Sequence, residues 1–129
     1  MNNMTNPKSV PTPAGSYSQV VEVPAGARWL VISGQVGVDV KGKLQPGIRK
    51  QAEQCFRNIL ACVKDGGMAK KDLVKFCVFL TDSRHIAEYR EARKKVIGDA
   101  TLPASTLLIV NGLASPDILV EVEAMAAKA

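Results

Sequence analysis

Residues 73–80 read Leu73-Val74-Lys75-Phe76-Cys77-Val78-Phe79-Leu80, with one charge in the whole run. A segment this short, rich in Val and Phe and apolar at odd and even positions alike, has the pattern of a strand covered on both faces. It therefore belongs inside a sheet rather than at its edge. Toward the N-terminus, Ile48, Ala52, Cys55, Phe56, Ile59, Leu60 and Val63 recur in steps of three and four. That is the stripe of an amphipathic helix, starting after Pro46-Gly47 and stopped by Gly66-Gly67. Toward the C-terminus, Asp82 or Ser83 caps a second helix to about Ile97, with a Glu91–Lys95 pair, Lys94 and Lys95 near its negative end, and Gly98 beyond it.

The other strands flank this unit. Tyr17–Val23 and Arg28–Ser33 are separated by Pro24-Ala25-Gly26, and Gly34–Leu44 reads as a turn and short strand reversing at Lys41-Gly42. Ser105–Val110 and Ile118–Ala126 close the chain. The expected fold is α+β, in the order β-β-β-α-β-α-β-β, with a single mixed sheet and two helices packed on one face, as short connections and right-handed crossovers dictate. In the last strand Ile118, Val120, Val122 and Ala124 share the side that meets the helices, while Leu119, Glu121, Glu123 and Met125 share the other. The strands at 73–80 and 105–110 are apolar on both sides, so the helix-free face would be an unusually large apolar patch for a monomer. A cyclic homo-oligomer would bury it on every copy.

With 129 residues the chain has room for one core. Residues 1–15, which hold three of the seven prolines, read as an extended N-terminal arm, and 16–129 as the domain. A composition of 47% hydrophobic and 22% charged residues excludes a disordered or fibrous chain. No apolar run approaches the roughly 20 residues of a membrane helix, so no membrane partner is expected. The polar residues 1–10 resemble neither a secretory signal nor a transit peptide, and a cytoplasmic location is expected. Cys55, Cys62 and Cys77 are odd in number, lack CxxC spacing and lie in apolar runs, which suits reduced core thiols and encodes no metal site. The net charge of +5 permits attraction to anions.

Few residues offer chemistry. His85, the sole histidine, falls in the first turn of a charged helix, where exposure is expected. Asp39, Asp65, Asp72, Asp82, Asp99 and Asp117 lie in or beside turns and strand ends, as turn residues and caps do. The stretch Ser33-Gly34-Gln35-Val36-Gly37 lacks the spacing of a phosphate-binding loop. Glu121 and Glu123 alternate on one strand face. There they form a solvated edge or, if that face is buried between subunits, one of them positions a water or carries a proton. Arg84, Arg90, Arg93, Lys94 and Lys95, interleaved with Glu88 and Glu91 and with only Tyr89 aromatic, read as a solvated helix face rather than an RNA platform.

Five stretches in order carry a family resemblance: Pro13-Ala14-Gly15-Ser16-Tyr17-Ser18-Gln19, Ile32-Ser33-Gly34-Gln35, Val74-Lys75 running into Val78-Phe79-Leu80-Thr81-Asp82, Pro103-Ala104, and Val120-Glu121-Val122-Glu123-Ala124-Met125-Ala126. Over residues 11–127 the chain resembles the RidA/YjgF family of reactive-intermediate deaminases, members of which have also been labelled endoribonucleases. The resemblance implies a chorismate mutase-like fold, a homotrimer with ligand clefts between subunits, and hydrolysis of imine or enamine acids without a cofactor. It implies that Glu121 is catalytic and holds the hydrolytic water, that Tyr17 lines the cleft, and that Ser33, Gly34 and Gln35 complete it. The family's Pro-Ala-Arg-Ser/Thr motif, whose arginine clamps the substrate carboxylate, reads Pro103-Ala104-Ser105-Thr106 here. Ser105 thus stands where the arginine is usual, and Arg90, at the position of an asparagine on the second helix, is the candidate to supply a positive charge from the opposite wall. Three readings follow: a hydrolase (deaminase) acting on an imine or enamine, a non-catalytic binder of a small carboxylate or imine metabolite, and, ranked last, an RNA-binding or ribonuclease-like protein.

Overall fold

Helix α1 (Gly47–Asp65) buries the side of its surface predicted from the sequence, with Ala52, Cys55, Phe56, Ile59 and Val63 all within the core. Two glycines end it. The Gly66 and Gly67 amides donate to Cys62 and Lys64 carbonyls at 3.0 Å, and Gly67 takes a positive φ of 74°. The computed structural model describes residues 1–129. The remaining elements are β1 (Asn3–Thr5), β2 (Val20–Glu22), β3 (Arg28–Val36), β4 (Leu73–Leu80), α2 (Ile86–Val96), β5 (Ala104–Ile109) and β6 (Val120–Lys128). Asp82 caps the 3₁₀ turn that leads into α2, its carboxylate accepting from the Arg84 amide at 2.9 Å.

The main sheet is mixed, in the order β3-β6-β4-β5. Strand β6 runs antiparallel to both β3 and β4, while β4 and β5 are parallel. β3 and β4 therefore point the same way with β6 between them, and both crossovers, through α1 and through α2, return on one face. β4 lies inside the sheet, as its two-sided apolar pattern requires. Its Phe76 packs edge-on against Phe56 of α1, with centroids 5.4 Å apart, and Phe56 in turn meets Tyr89 of α2 at 5.8 Å. Val120, Val122 and Ala124 of β6 join the same core.

The N-terminal third departs from the sequence reading. Asn3–Thr5, inside the stretch read as an arm, pairs antiparallel with Val20–Glu22 in a separate two-stranded ribbon. The Asn2 side chain ties it down by donating to the Asp72 and Ala127 carbonyls at 3.4 and 3.0 Å. The expected third strand over Gly34–Leu44 is not a separate element. β3 instead runs on to Val36 through an irregularity between Ile32 and Gln35, and only a single bridge, Val38 to Leu44, spans the following turn. The cause is local, since Asp39 accepts the amides of Lys41 and Lys43, both at 3.0 Å, and folds this segment into a turn.

The helix-free face carries Trp29, Val31, Leu108 and Met125, with Val31 77% exposed. The cysteines need correcting too. Cys55 is buried and its thiol is pushed up to about 12 by desolvation, with the Glu121 charge adding to the effect, so it stays protonated. Cys62, by contrast, is exposed on α1, and Cys77 lies half-buried on the helix-free face, so neither is a core thiol.

Two measurements check this packing. Buried Gln51 donates to the Asp117 carbonyl at 3.0 Å and accepts the Leu119 amide at 2.9 Å, tying α1 to the start of β6. Gln51→Leu should cost about 2 kcal/mol in urea unfolding with an unchanged m-value, because groups left buried without partners cost about 1–3 kcal/mol. A thiol-specific disulfide reagent should modify Cys62 rapidly in the native protein and Cys55 only on unfolding; equal native rates would contradict the burial assigned to Cys55.

Candidate functional site

The residues singled out from the sequence fall into two groups on opposite faces of the sheet. The first lies on the helix-free side, around the irregularity in β3. Here Glu121 of β6 pairs with Val36 on one side and Phe79 on the other, and the Gly34 backbone passes directly over its carboxylate. A Cβ on Gly34 would lie 2.8 Å from the Glu121 carboxyl carbon, so only glycine admits that carboxylate in its present position. Exposed Ser33 and half-buried Gln35 flank it, with Gln35 Nε2 donating to the Ser33 carbonyl at 3.1 Å. Along the same face, Val31, Lys75, Cys77, Glu123 and Met125 border a groove of about 150 Å³. Thr106 also faces this side, its hydroxyl accepting from Lys75 Nζ at 2.7 Å.

The second group lies on the helix side, at the edge strand β5. Ser105 pairs with Phe76, which pairs with Ala124, and all three project toward the helices. The segment carrying Tyr17 runs along the outer edge of β5: the Ser18 amide donates to the Pro103 carbonyl at 3.3 Å and Ser18 bridges Ala104. Tyr17 itself is half-buried, its hydroxyl accepting the Ala14 amide at 3.3 Å. Between this segment and α2 lies a cavity of about 200 Å³. Ser105 and Gly15 form part of its wall, and exposed Arg90 and Lys94 stand at its rim. The Arg90 Nε lies 3.6 Å from where a Gly15 Cβ would be. Arg90 therefore reaches the cavity that holds Ser105.

One residue in this cavity escaped the sequence reading. Arg93, assigned there to a solvated basic face, is only 4% exposed. Its guanidinium lies over the Phe76 ring, 5.7 Å from the centroid, and its Nε and both Nη atoms are buried without a hydrogen-bond partner. Burial holds its pKa below the usual arginine range, although the nearby Tyr89 and Asp99 work in the opposite direction. The neighbouring Tyr89 hydroxyl is also buried and unpartnered, and burial raises its pKa, which keeps it a neutral donor. The signal was spacing. Arg93 follows Tyr89 by four and precedes Val96 by three, placing it on the apolar stripe of α2 rather than on the charged side.

His85 sits half-buried in the turn before α2 and belongs to neither group. Asp82 and Asp72 act as caps, the latter accepting the Ala69 amide at 2.9 Å. No three of the His, Cys, Asp and Glu side chains gather as a metal site would require. No helix is long and apolar enough to cross a membrane. Within one chain, the carboxylate of Glu121 and the hydroxyl of Ser105 do not share a pocket.

Comparison with known proteins gives this arrangement its context. Residues 7–128 match the family described as Endoribonuclease L-PSP. A RutC family protein of Aquifex aeolicus is 34% identical over 130 residues, covering 99% of this chain and 100% of that protein. The 2-iminobutanoate/2-iminopropanoate deaminase of Salmonella typhimurium is 30% identical over 124 residues, 94% of each chain. Among solved structures, YyfB of the Rid family from Yersinia pestis, a protein of unknown function, aligns with a TM-score of 0.88 at 25% identity over 98% of both chains. With the match running through nearly every element from the ribbon to β6, the chain belongs to the RidA/YjgF family.

Proposed function

We propose that this protein is a RidA-type hydrolase that converts a small imine or enamine acid to the corresponding oxo acid and ammonia. Water adds to the imine carbon, the C–N bond breaks, and the nitrogen leaves as ammonia. Glu121 orients that water, takes its proton as it attacks, and returns it to the leaving nitrogen. The observation that carries this reading is the Glu121 carboxylate held against the Gly34 backbone on the helix-free face, in a chain whose relatives include imine deaminases. The other half of the cleft, with Tyr17, Arg90 and Ser105, lies across the sheet. A neighbouring copy is therefore needed to bring the two groups together, and a homotrimer supplies it while covering Val31 and Met125. A cytoplasmic setting accords with this chemistry. Thr106, on the helix-free side, belongs with the Glu121 half of the cleft.

A second reading keeps the cleft and drops the turnover. Ser105 stands where the family's arginine is usual, and losing a bidentate guanidinium removes charge-assisted bonds worth roughly 1.5–3 kcal/mol each. On that reading the protein binds a small metabolite without converting it.

The test is to generate 2-iminobutanoate in place and follow 2-oxobutanoate formation with and without the protein. The expected result is acceleration that falls about a hundredfold or more in Glu121→Gln, the scale of a lost acid-base group. Gly34→Ala should displace the carboxylate and lower kcat similarly while changing Tm little, because the clash is with a side-chain end. No acceleration joined to measurable metabolite binding would overturn the hydrolase in favour of the binder. Light scattering should give a mass near three times 13.8 kDa; a monomer at micromolar concentration would leave the two half-sites apart and sink both readings.

A further inference from the structure

A buried guanidinium without a partner is rarely left that way in a folded protein, because the desolvated charge is costly unless an anion answers it. Arg93 has no such anion within the chain. It takes part in none of the ion pairs, and Asp99 influences it only from beyond bonding range. Its side chain lines the floor of the cavity beside β5, next to the equally unpartnered Tyr89 hydroxyl, with Ser105 in the wall. Three basic side chains, Arg90, Arg93 and Lys94, border the space against one acidic one, Glu91. The chemistry is that of an anion site: a five-donor planar fork, two hydroxyls and a positive rim. The cavity, of about 200 Å³, opens at the rim formed by Arg90 and Lys94, so a small acid can enter it.

We propose that this cavity binds the carboxylate of a small 2-oxo or 2-imino acid, with Arg93 as its principal anion-binding group and Tyr89 and Ser105 as hydroxyl donors. The choice of acid rests on the deaminase reading, whereas the anion site rests on the geometry alone. Arg93 rather than Arg90 stands in for the absent arginine at position 105. Arg90 is exposed and keeps its hydration, while Arg93 is already stripped of water and gains most from a carboxylate. Arg93 borders this cavity, so its guanidinium is the buried positive group that an entering carboxylate meets.

Isothermal titration calorimetry of the full chain with pyruvate tests this. Wild-type protein should bind, Arg93→Met should weaken binding by about tenfold or more, and Arg93→Lys should retain part of it, since an ammonium keeps the charge but loses the fork. Without ligand, Arg93→Met should melt no lower than wild type, because an unpaired buried charge gives way to an apolar chain of similar shape. That separates lost recognition from lost folding. Tyr89→Phe and Ser105→Ala should each weaken binding several-fold. No pyruvate binding by wild type, or unaltered affinity in Arg93→Met, overturns the proposal. So does a crystal structure of the assembled protein with a partner subunit's carboxylate on Arg93. Pyruvate binding through Arg93 without imine hydrolysis would refute the deaminase alone; hydrolysis with KM unchanged in Arg93→Met would refute this site alone.

Discussion

Strand β6 sits between β3 and β4, antiparallel to both, and the rest of the molecule follows from that pairing. Because β3 and β4 run the same way with a strand between them, the chain must cross over β6 through α1. It then crosses again through α2 to lay β5 parallel to β4. Both crossovers have the same hand, so both helices land on one face. That face closes around Phe56, Phe76 and Tyr89, while the other keeps Val31, Met125 and Leu108 in solvent. Apolar area left uncovered costs about 25 cal/mol per Å², so a second copy that covers it is stabilising in proportion to the area it removes from water.

The same one-sidedness distributes the chemistry. Side chains alternate along a strand, so neighbouring positions on β5 and β6 serve opposite faces. Glu121 and Thr106 fall with the bare face, Ser105 with the helices. An enzyme that uses both Glu121 and the β5 edge therefore cannot be complete as a monomer. Oligomerisation in the proposed function is accordingly part of the active site as well as a shield for apolar surface. The irregularity in β3 serves the Glu121 half. It brings Gly34 against the carboxylate, which stands on a strand paired on both sides rather than on a loop.

Where the sequence was informative, the pattern and the packing spoke the same language. The steps of three and four in α1 and the two-sided apolar run of β4 record burial directly, and both elements lie where those patterns put them. The β1–β2 ribbon was hidden because Asn3–Thr5 is only three residues long, and its place is set by the Asn2 contacts to distant Asp72 and Ala127. The separate strand expected over Gly34–Leu44 failed because Asp39 gathers two amides and makes a turn of that stretch. Cys62 misled because it lies beside the apolar stripe of α1 without belonging to it. Five family stretches made the membership legible, but the need for glycine at position 34 is a tertiary fact, visible only once Glu121 is seen beneath it. Arg93 was masked by its company, since a run of basic residues around it suggested solvent, although its phase with Tyr89 and Val96 placed it inside.

Ser105 and Arg93 are best understood together. Both border one cavity of about 200 Å³ that also has Arg90 and Lys94 at its rim. An arginine at position 105 would bring a further guanidinium into that space. Two like charges 4 Å apart repel by about 1 kcal/mol in water and about 4 kcal/mol at the lower effective dielectric of a protein surface. A serine removes that repulsion, leaves room for a ligand, and still offers a hydroxyl. In the proposed carboxylate site, positive charge comes from the helix facing the edge strand rather than from the strand itself. That placement is not neutral for stability. A guanidinium on a strand edge keeps much of its hydration, whereas one beneath the floor of a cavity has lost it and recovers the loss only when an anion arrives. Such a residue lowers the stability of the empty protein while increasing the gain on binding.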